Sequence, residues 1–230
     1  MRRDVGGFCI SHFTFFTFAC SLITKLMKNA IETIIFDLGG VLIDWNPEYV
    51  FREIMPDEEE RRFFFREVCT HDWNIQQDAG RPLAEATEER VQLWPQYEAE
   101  IRAYYGRWEE MLGGPIEETV ELLHQLHGRG EHRLYALTNW SHETFPVARE
   151  RYDFLQLFGG IVVSGEEKLI KPDPRIYHLL FERYAVNPAQ AVFIDDNRHN
   201  VEAARELGLE AIHFQSPGQL KGELQGLGVY

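Results

Sequence analysis

The chain has 230 residues, long enough to bury a large core without disulfide or metal staples. Its 44% hydrophobic and 26% charged residues suit a soluble globular protein, and three scattered cysteines, Cys9, Cys20 and Cys69, exclude a disulfide framework or a Cys-rich zinc site. A net charge of −14, from 37 acids and 23 bases, repels nucleic-acid backbones and anionic lipid, so an anionic partner must be small and met by a metal ion or a lysine.

At the N-terminus, Arg2 and Arg3 precede an apolar run from Phe8 to Ile23 that Ser11, His12, Thr14 and Thr17 interrupt. The run falls short of a membrane span, and no stable membrane association is expected. It reads as an export signal cut near Ala19, as a membrane anchor, or as a loosely attached tail or extension ahead of a true start at Met27. The first core strand begins just after Met27, which favours the start at Met27 and a cytoplasmic protein, with residues 1–26 as a doubtful extension.

Residues 33–38 form a continuous apolar run around Asp37, the pattern of a strand buried on both faces, and Gly39 and Gly40 then mark a tight turn. From 48 to 112 the composition turns to Glu, Arg and aromatics. Apolar spacing there predicts helices over 49–54, 58–68, 83–94 and 97–111, with His71 and Arg81 in polar, loop-like stretches. After Gly113, Gly114 and Pro115, helices are expected at 116–127, 143–152, 174–184 and 200–207. Strands are expected at 132–137, 160–164, 191–194 and 211–214. Strands alternating with helices predict an α/β fold, a Rossmann-like parallel sheet with an all-helical cap inserted. The core would comprise 27–47 and 113–230, and the cap 48–112.

In such sheets ligands bind beyond the carboxyl ends of the strands. Asp37, Thr138 with Asn139, and Asp195 with Asp196 all fall at strand ends, and Lys171 follows a strand closely. Each feature alone has an ordinary reading: a turn cap, turn chemistry, a solvated lysine, a helix cap. Together they offer a nucleophilic carboxylate, a hydroxyl and amides, a fixed positive charge, and an acid pair that calls for a hard cation such as magnesium.

At these residues the sequence resembles the haloacid dehalogenase-like hydrolase superfamily. Phe36-Asp37-Leu38-Gly39-Gly40-Val41-Leu42 is similar to its first motif and Leu137-Thr138-Asn139 to its second. Lys171-Pro172 matches the third and Phe193-Ile194-Asp195-Asp196-Asn197 the fourth. The helical stretch lies where the family's first cap is inserted. The resemblance implies that Asp37 attacks phosphorus to form an aspartyl-phosphate. Mg2+ would be held by Asp37, the Gly39 carbonyl, Asp196 directly, and Asp195 directly or through water. Lys171, Thr138 and Asn139 would bind the phosphate. The implied function is a magnesium-dependent phosphatase acting on a small phosphorylated metabolite.

One position departs from most phosphatases of the superfamily. Gly39 stands where a second Asp usually protonates the leaving oxygen. The reading that follows is a phosphatase with an easily departing group, a sugar 1-phosphate being suitable, or one that borrows an acid such as Asp44. The sequence is similar to the branch containing bacterial α-glucose-1-phosphate phosphatases, which share this departure. The alternatives are a 2-haloacid dehalogenase using the same Asp without metal, and a degenerate binding member. His71, Arg81, Asp44, Trp73, Trp94, Trp108, Trp140 and His142 are candidate substrate contacts, with packing the competing reading for the tryptophans.

Overall fold

The computed structural model describes residues 30–230, so the N-terminal extension and the cleavage point near Ala19 lie outside the described residues. Strand β1 (Thr33–Phe36) leads through a tight turn into β2 (Ile43–Trp45), after which the chain leaves the sheet. It runs through helices α1 (Glu48–Ile54), α2 (Glu58–Phe63), α3 (His71–Asp78), α4 (Leu83–Leu93) and α5 (Glu98–Gly106), and returns in β3 (Leu112–Pro115). β2 and β3 pair antiparallel, Ile43 opposite Pro115, so the helical insertion is carried on a two-strand neck. Then follow α6 (Glu117–Arg129), β4 (Arg133–Thr138), α7 (Phe145–Arg151), β5 (Ile161–Val163) and α8 (Ser164–Glu167). The chain closes with α9 (Pro174–Tyr184), β6 (Ala191–Asp195), α10 (Arg198–Glu206), β7 (Glu210–His213) and α11 (Pro217–Gly226).

Five of the strands form a parallel sheet in the order β5-β4-β1-β6-β7, as the alternating pattern predicts. Side chains alternate between faces with period two. Ile34, Phe36, Ala136 and Ile194 join one apolar cluster; Ile35, Leu137 and Phe193 join the other. The first cluster continues into the insertion through Phe51, Phe64, Trp73 and Met111, so sheet face and cap base share one core. Among the described residues no helix is long and apolar enough to cross a membrane.

Several sequence expectations need correction. The His71 stretch is a helix, started by Thr70, whose hydroxyl accepts the Trp73 N–H at 3.0 Å. The helix expected over 58–68 ends at Phe63 and becomes a π-helical turn, Phe64–Val68. That expected over 97–111 breaks at Arg107 into α5 and a tighter turn, Trp108–Met111. The β2–β3 pair was not foreseen, because three residues beside a Gly-Gly-Pro stretch carry no strand periodicity.

Candidate active site

β1 is the central strand, flanked by β4 and β6, from which the chain proceeds to opposite edges of the sheet. Their carboxyl ends bring Asp37, Thr138 and Asp195 side by side at the crevice where such sheets bind ligands. Pairing runs one residue past β1, Asp37 N–H donating to the Ile194 carbonyl at 2.8 Å, which sets Asp37 against the end of β6. The chain then tightens at once. The Leu38 carbonyl accepts the N–H groups of Leu42 at 2.8 Å and Ile43 at 2.9 Å. Gly40 takes φ +71°, and a Cβ there would stand 2.3 Å from Asp196 Oδ2, so two independent constraints demand glycine. Gly39 has no such constraint: its Cβ direction is open to 4 Å.

Lys171 is the electrostatic centre. Its ammonium, 1% exposed, donates to Asp37 Oδ1 at 2.9 Å, Asp195 Oδ2 at 2.7 Å and the Leu137 carbonyl at 2.8 Å. These three bonds use all its protons. Burial alone would lower the Lys171 pKa, but Asp195 and Asp37 hold it above the ordinary lysine value. The backbone around it is clasped by Asn139, whose side-chain amide donates to the Lys171 carbonyl at 2.9 Å and accepts the Lys171 N–H at 2.8 Å. Asn139 thus ties the second strand-end motif to the third, a role its residue type did not announce.

Asp37, Asp195 and Asp196 each bring a carboxylate oxygen within 4.8 Å of the others. Two buried carboxylates, Asp37 and Asp195, and the exposed Asp196 around one ammonium leave a negative excess. Burial pushes the Asp37 carboxyl up to about 7; Asp195 and Asp196 push the same way, while Lys171 opposes. Burial, then Asp195, also raises Asp196. A hard divalent cation with oxygen ligands fits this donor set. The oxygens are not equivalent. Asp195, fully buried, accepts from Lys171, from the Asn197 N–H at 2.7 Å and from the Asn200 amide at 3.1 Å. Asp37 Oδ1 takes Lys171 and the Leu38 N–H at 2.8 Å, leaving Oδ2 outside both bonds. Asp37 Oδ2 and Asp196 are therefore the donors best placed to face a cation. Asn200 was missed from sequence; its signal is a position on the first turn of α10, five residues beyond Asp195.

The remaining candidates divide. Thr138 is buried at the end of β4, opposite Val163. Asp44 lies on β2, its carboxylate taken by the Tyr49 hydroxyl and packed where a Gly113 Cβ would be. Arg81 is spent within the cap on Glu85 and Glu89. His71 is exposed on the first turn of α3, and His142 is exposed. Trp73 packs on Tyr104 and Tyr105, Trp94 on Phe63 and Tyr97, and Trp108 on Trp140, so the tryptophans serve packing.

Comparison with known proteins adds to this geometry. Residues 31–208 match the family model described as haloacid dehalogenase-like hydrolase. The chain is 29% identical to a sesquiterpene phosphatase, astK, of Aspergillus oryzae, over 82% of this chain and 92% of that protein. It is 28% identical to a phosphorylated carbohydrates phosphatase of Thermotoga maritima, over 80% and 84%. A solved enzyme of the same family from Bacteroides thetaiotaomicron, in complex with magnesium and inorganic phosphate, superposes with a TM-score of 0.63 at 24% identity, over 81% of this chain and 96% of that one.

Proposed function

The chain belongs to the haloacid dehalogenase-like hydrolase family, and on that premise we propose that it is a magnesium-dependent phosphatase of small phosphorylated metabolites with Asp37 as nucleophile. The observation that carries this is the trio Asp37, Asp195 and Asp196 gathered around Lys171. The two relatives named above share a phosphate in their substrates' description and differ in the group that bears it. Phosphoryl chemistry is therefore the common element.

In the proposed reaction an Asp37 oxygen bonds to phosphorus as the bond to the leaving oxygen breaks. Water then hydrolyses the aspartyl-phosphate, splitting one hard step into two. Lys171 favours the ionised form of Asp37 and offers charge to a phosphate oxygen. Thr138 and the Asn139 amide would take the other oxygens. Asp37, Asp196 and the Gly39 carbonyl would hold magnesium, with Asp195 bracing Lys171 and the Asn197–Asn200 turn. When bound, the ion shields Asp37 from the phosphate's charge and stabilises the transferring group. The helices of 48–112 would cover the site and exclude water.

Gly39 supplies no acid, so the leaving oxygen departs with more negative charge. A sugar 1-phosphate suits this, because an anomeric oxygen leaves more readily than an ordinary alcohol. The dehalogenase alternative is less well supported. Displacement of halide at carbon needs no cation, and three clustered carboxylates would only disfavour an anionic substrate. Calorimetry tests the reading: Asp196→Asn should weaken magnesium binding well beyond its effect on phosphate. Unchanged magnesium affinity in that variant would remove Asp196 from the metal site and the proposal's main support with it.

A further inference from the structure

Three stretches of backbone meet just beyond Thr138 and Asn139: the cap turn after α3, the loop after β4, and the start of α8. Gly80, at φ +95°, would place a Cβ 2.9 Å from the Gly165 carbonyl oxygen. Gly165 would place one 2.4 Å from the His142 nitrogen and 2.8 Å from the Trp140 carbonyl oxygen. Only glycines allow the cap, α8 and the strand-end loop to pack this closely.

Ser164 sits at this junction and is fully buried. Its Oγ accepts the Trp140 N–H at 2.9 Å and donates to the Asp78 carbonyl at 2.5 Å. A hydroxyl has one proton to give, so the Trp140 carbonyl at 3.4 Å is not a second acceptor. The last carbonyls of a helix lack partners within it, and Asp78 ends α3. The hydroxyl therefore satisfies one backbone group of the cap and one of the strand-end loop at once. Two further ties join the same segments. The Leu83 N–H donates to Glu143 Oε1 at 2.8 Å, and the carboxyl of half-buried Asp78, pushed up to about 7 by desolvation, accepts the Ser141 N–H. On its other side the loop is clasped to Lys171 through Asn139.

We propose that Ser164 is a positioning residue that couples seating of the cap to the grip on phosphate. Its hydroxyl fixes the Trp140 amide, and with it Thr138 and Asn139 just upstream, while the Asp78 turn is in place. The inference rests on the phosphatase reading of the site. By linkage, phosphate bound at the loop favours the seated cap as strongly as the seated cap favours phosphate.

The test uses the full chain with magnesium and inorganic phosphate. Ser164→Ala should weaken phosphate binding about tenfold, the scale of losing a buried hydroxyl's two bonds. The loss on an aryl phosphate should appear in KM more than in kcat, with magnesium affinity unchanged. Hydrogen exchange should show phosphate protecting residues 78–83 in the wild type and not in Ser164→Ala. A folded Ser164→Ala with wild-type phosphate affinity and KM, even if its Tm falls, overturns the coupling. Should Ser164→Ala not fold, Glu143→Ala, at an exposed position, takes its place. It should lose part of the phosphate-dependent protection at 78–83, and full retention overturns the proposal. A wild type that neither binds phosphate nor hydrolyses any ester would instead sink the phosphatase reading, and the coupling with it.

Discussion

Replacing Lys171 with methionine removes the ammonium that lies among the carboxylates while keeping most of its volume. Lys171 is 1% exposed and bonded to Asp37, Asp195 and the Leu137 carbonyl. Removing one partner of a buried ion pair costs about 3–5 kcal/mol, because the other charge stays buried without compensation. That is a large share of the ~5–15 kcal/mol that stabilises a domain. With a urea slope of about 2 kcal/mol/M, the midpoint should fall by roughly 2 M. The deficit should depend on pH. Lys171 is the group that lowers the Asp37 pKa, so in Lys171→Met that carboxyl rises further above its unfolded value. A raised folded-state pKa gives stability present at low pH and lost as pH rises through it. The gap between variant and wild type should therefore be wider at pH 8 than at pH 5, and magnesium should narrow it by replacing the missing charge. Urea titrations at both pH values, with and without magnesium, check this. A small gap that does not change with pH would refute the counter-ion role.

Gly40→Ala combines a left-handed backbone with a Cβ 2.3 Å from Asp196 Oδ2; calorimetry should show magnesium binding weakened at least tenfold, since Asp196 must turn away, on top of ~1 kcal/mol of backbone strain. Gly39→Asp meets open space, so rates across a series of aryl phosphates should depend less on the leaving group than in the wild type, where a hexose 1-phosphate should outrun the 6-phosphate. Equal rates on the two hexose phosphates would point to another acid, with Asp44 the first to mutate. In metal-free wild type, the Asp37 carboxyl at about 7 against an ordinary 3.8 means that stability should fall as pH rises from about 4 to about 7 and level off above. Magnesium should flatten that slope in thermal melts, and a metal-free Tm that climbs over this range would contradict it.

The sheet was legible because its strands are buried on both faces. Thr33–Phe36 and Ala191–Asp195 read as unbroken apolar runs, and their terminal acids stood out against them. What sequence could not show is which polar atoms meet. Asn139 reads as turn chemistry until its amide is seen clasping Lys171, and Asn200 reads as a surface helix residue until it is seen bridging both oxygens of Asp195. Helix α3 escaped notice because its apolar residues, Trp73 and Ile75, do not repeat at helical spacing; only the Thr70 cap announces it. Arg81 looked available for an anion, but Glu85 and Glu89, four and eight residues on, bind it on the helix that follows. Such pairings depend on tertiary approach or on rotamer choice, which periodicity does not encode.

The most direct test of Asp37 as a metal-assisted phosphoryl acceptor is a panel of phosphate esters and 2-haloacids. Each would be assayed with magnesium and with excess chelator, in the wild type and in Asp37→Asn. Ester hydrolysis should require magnesium, vanish in Asp37→Asn, and be accompanied by no halide release. Halide release that persists in chelator, or ester hydrolysis that survives Asp37→Asn, would contradict it.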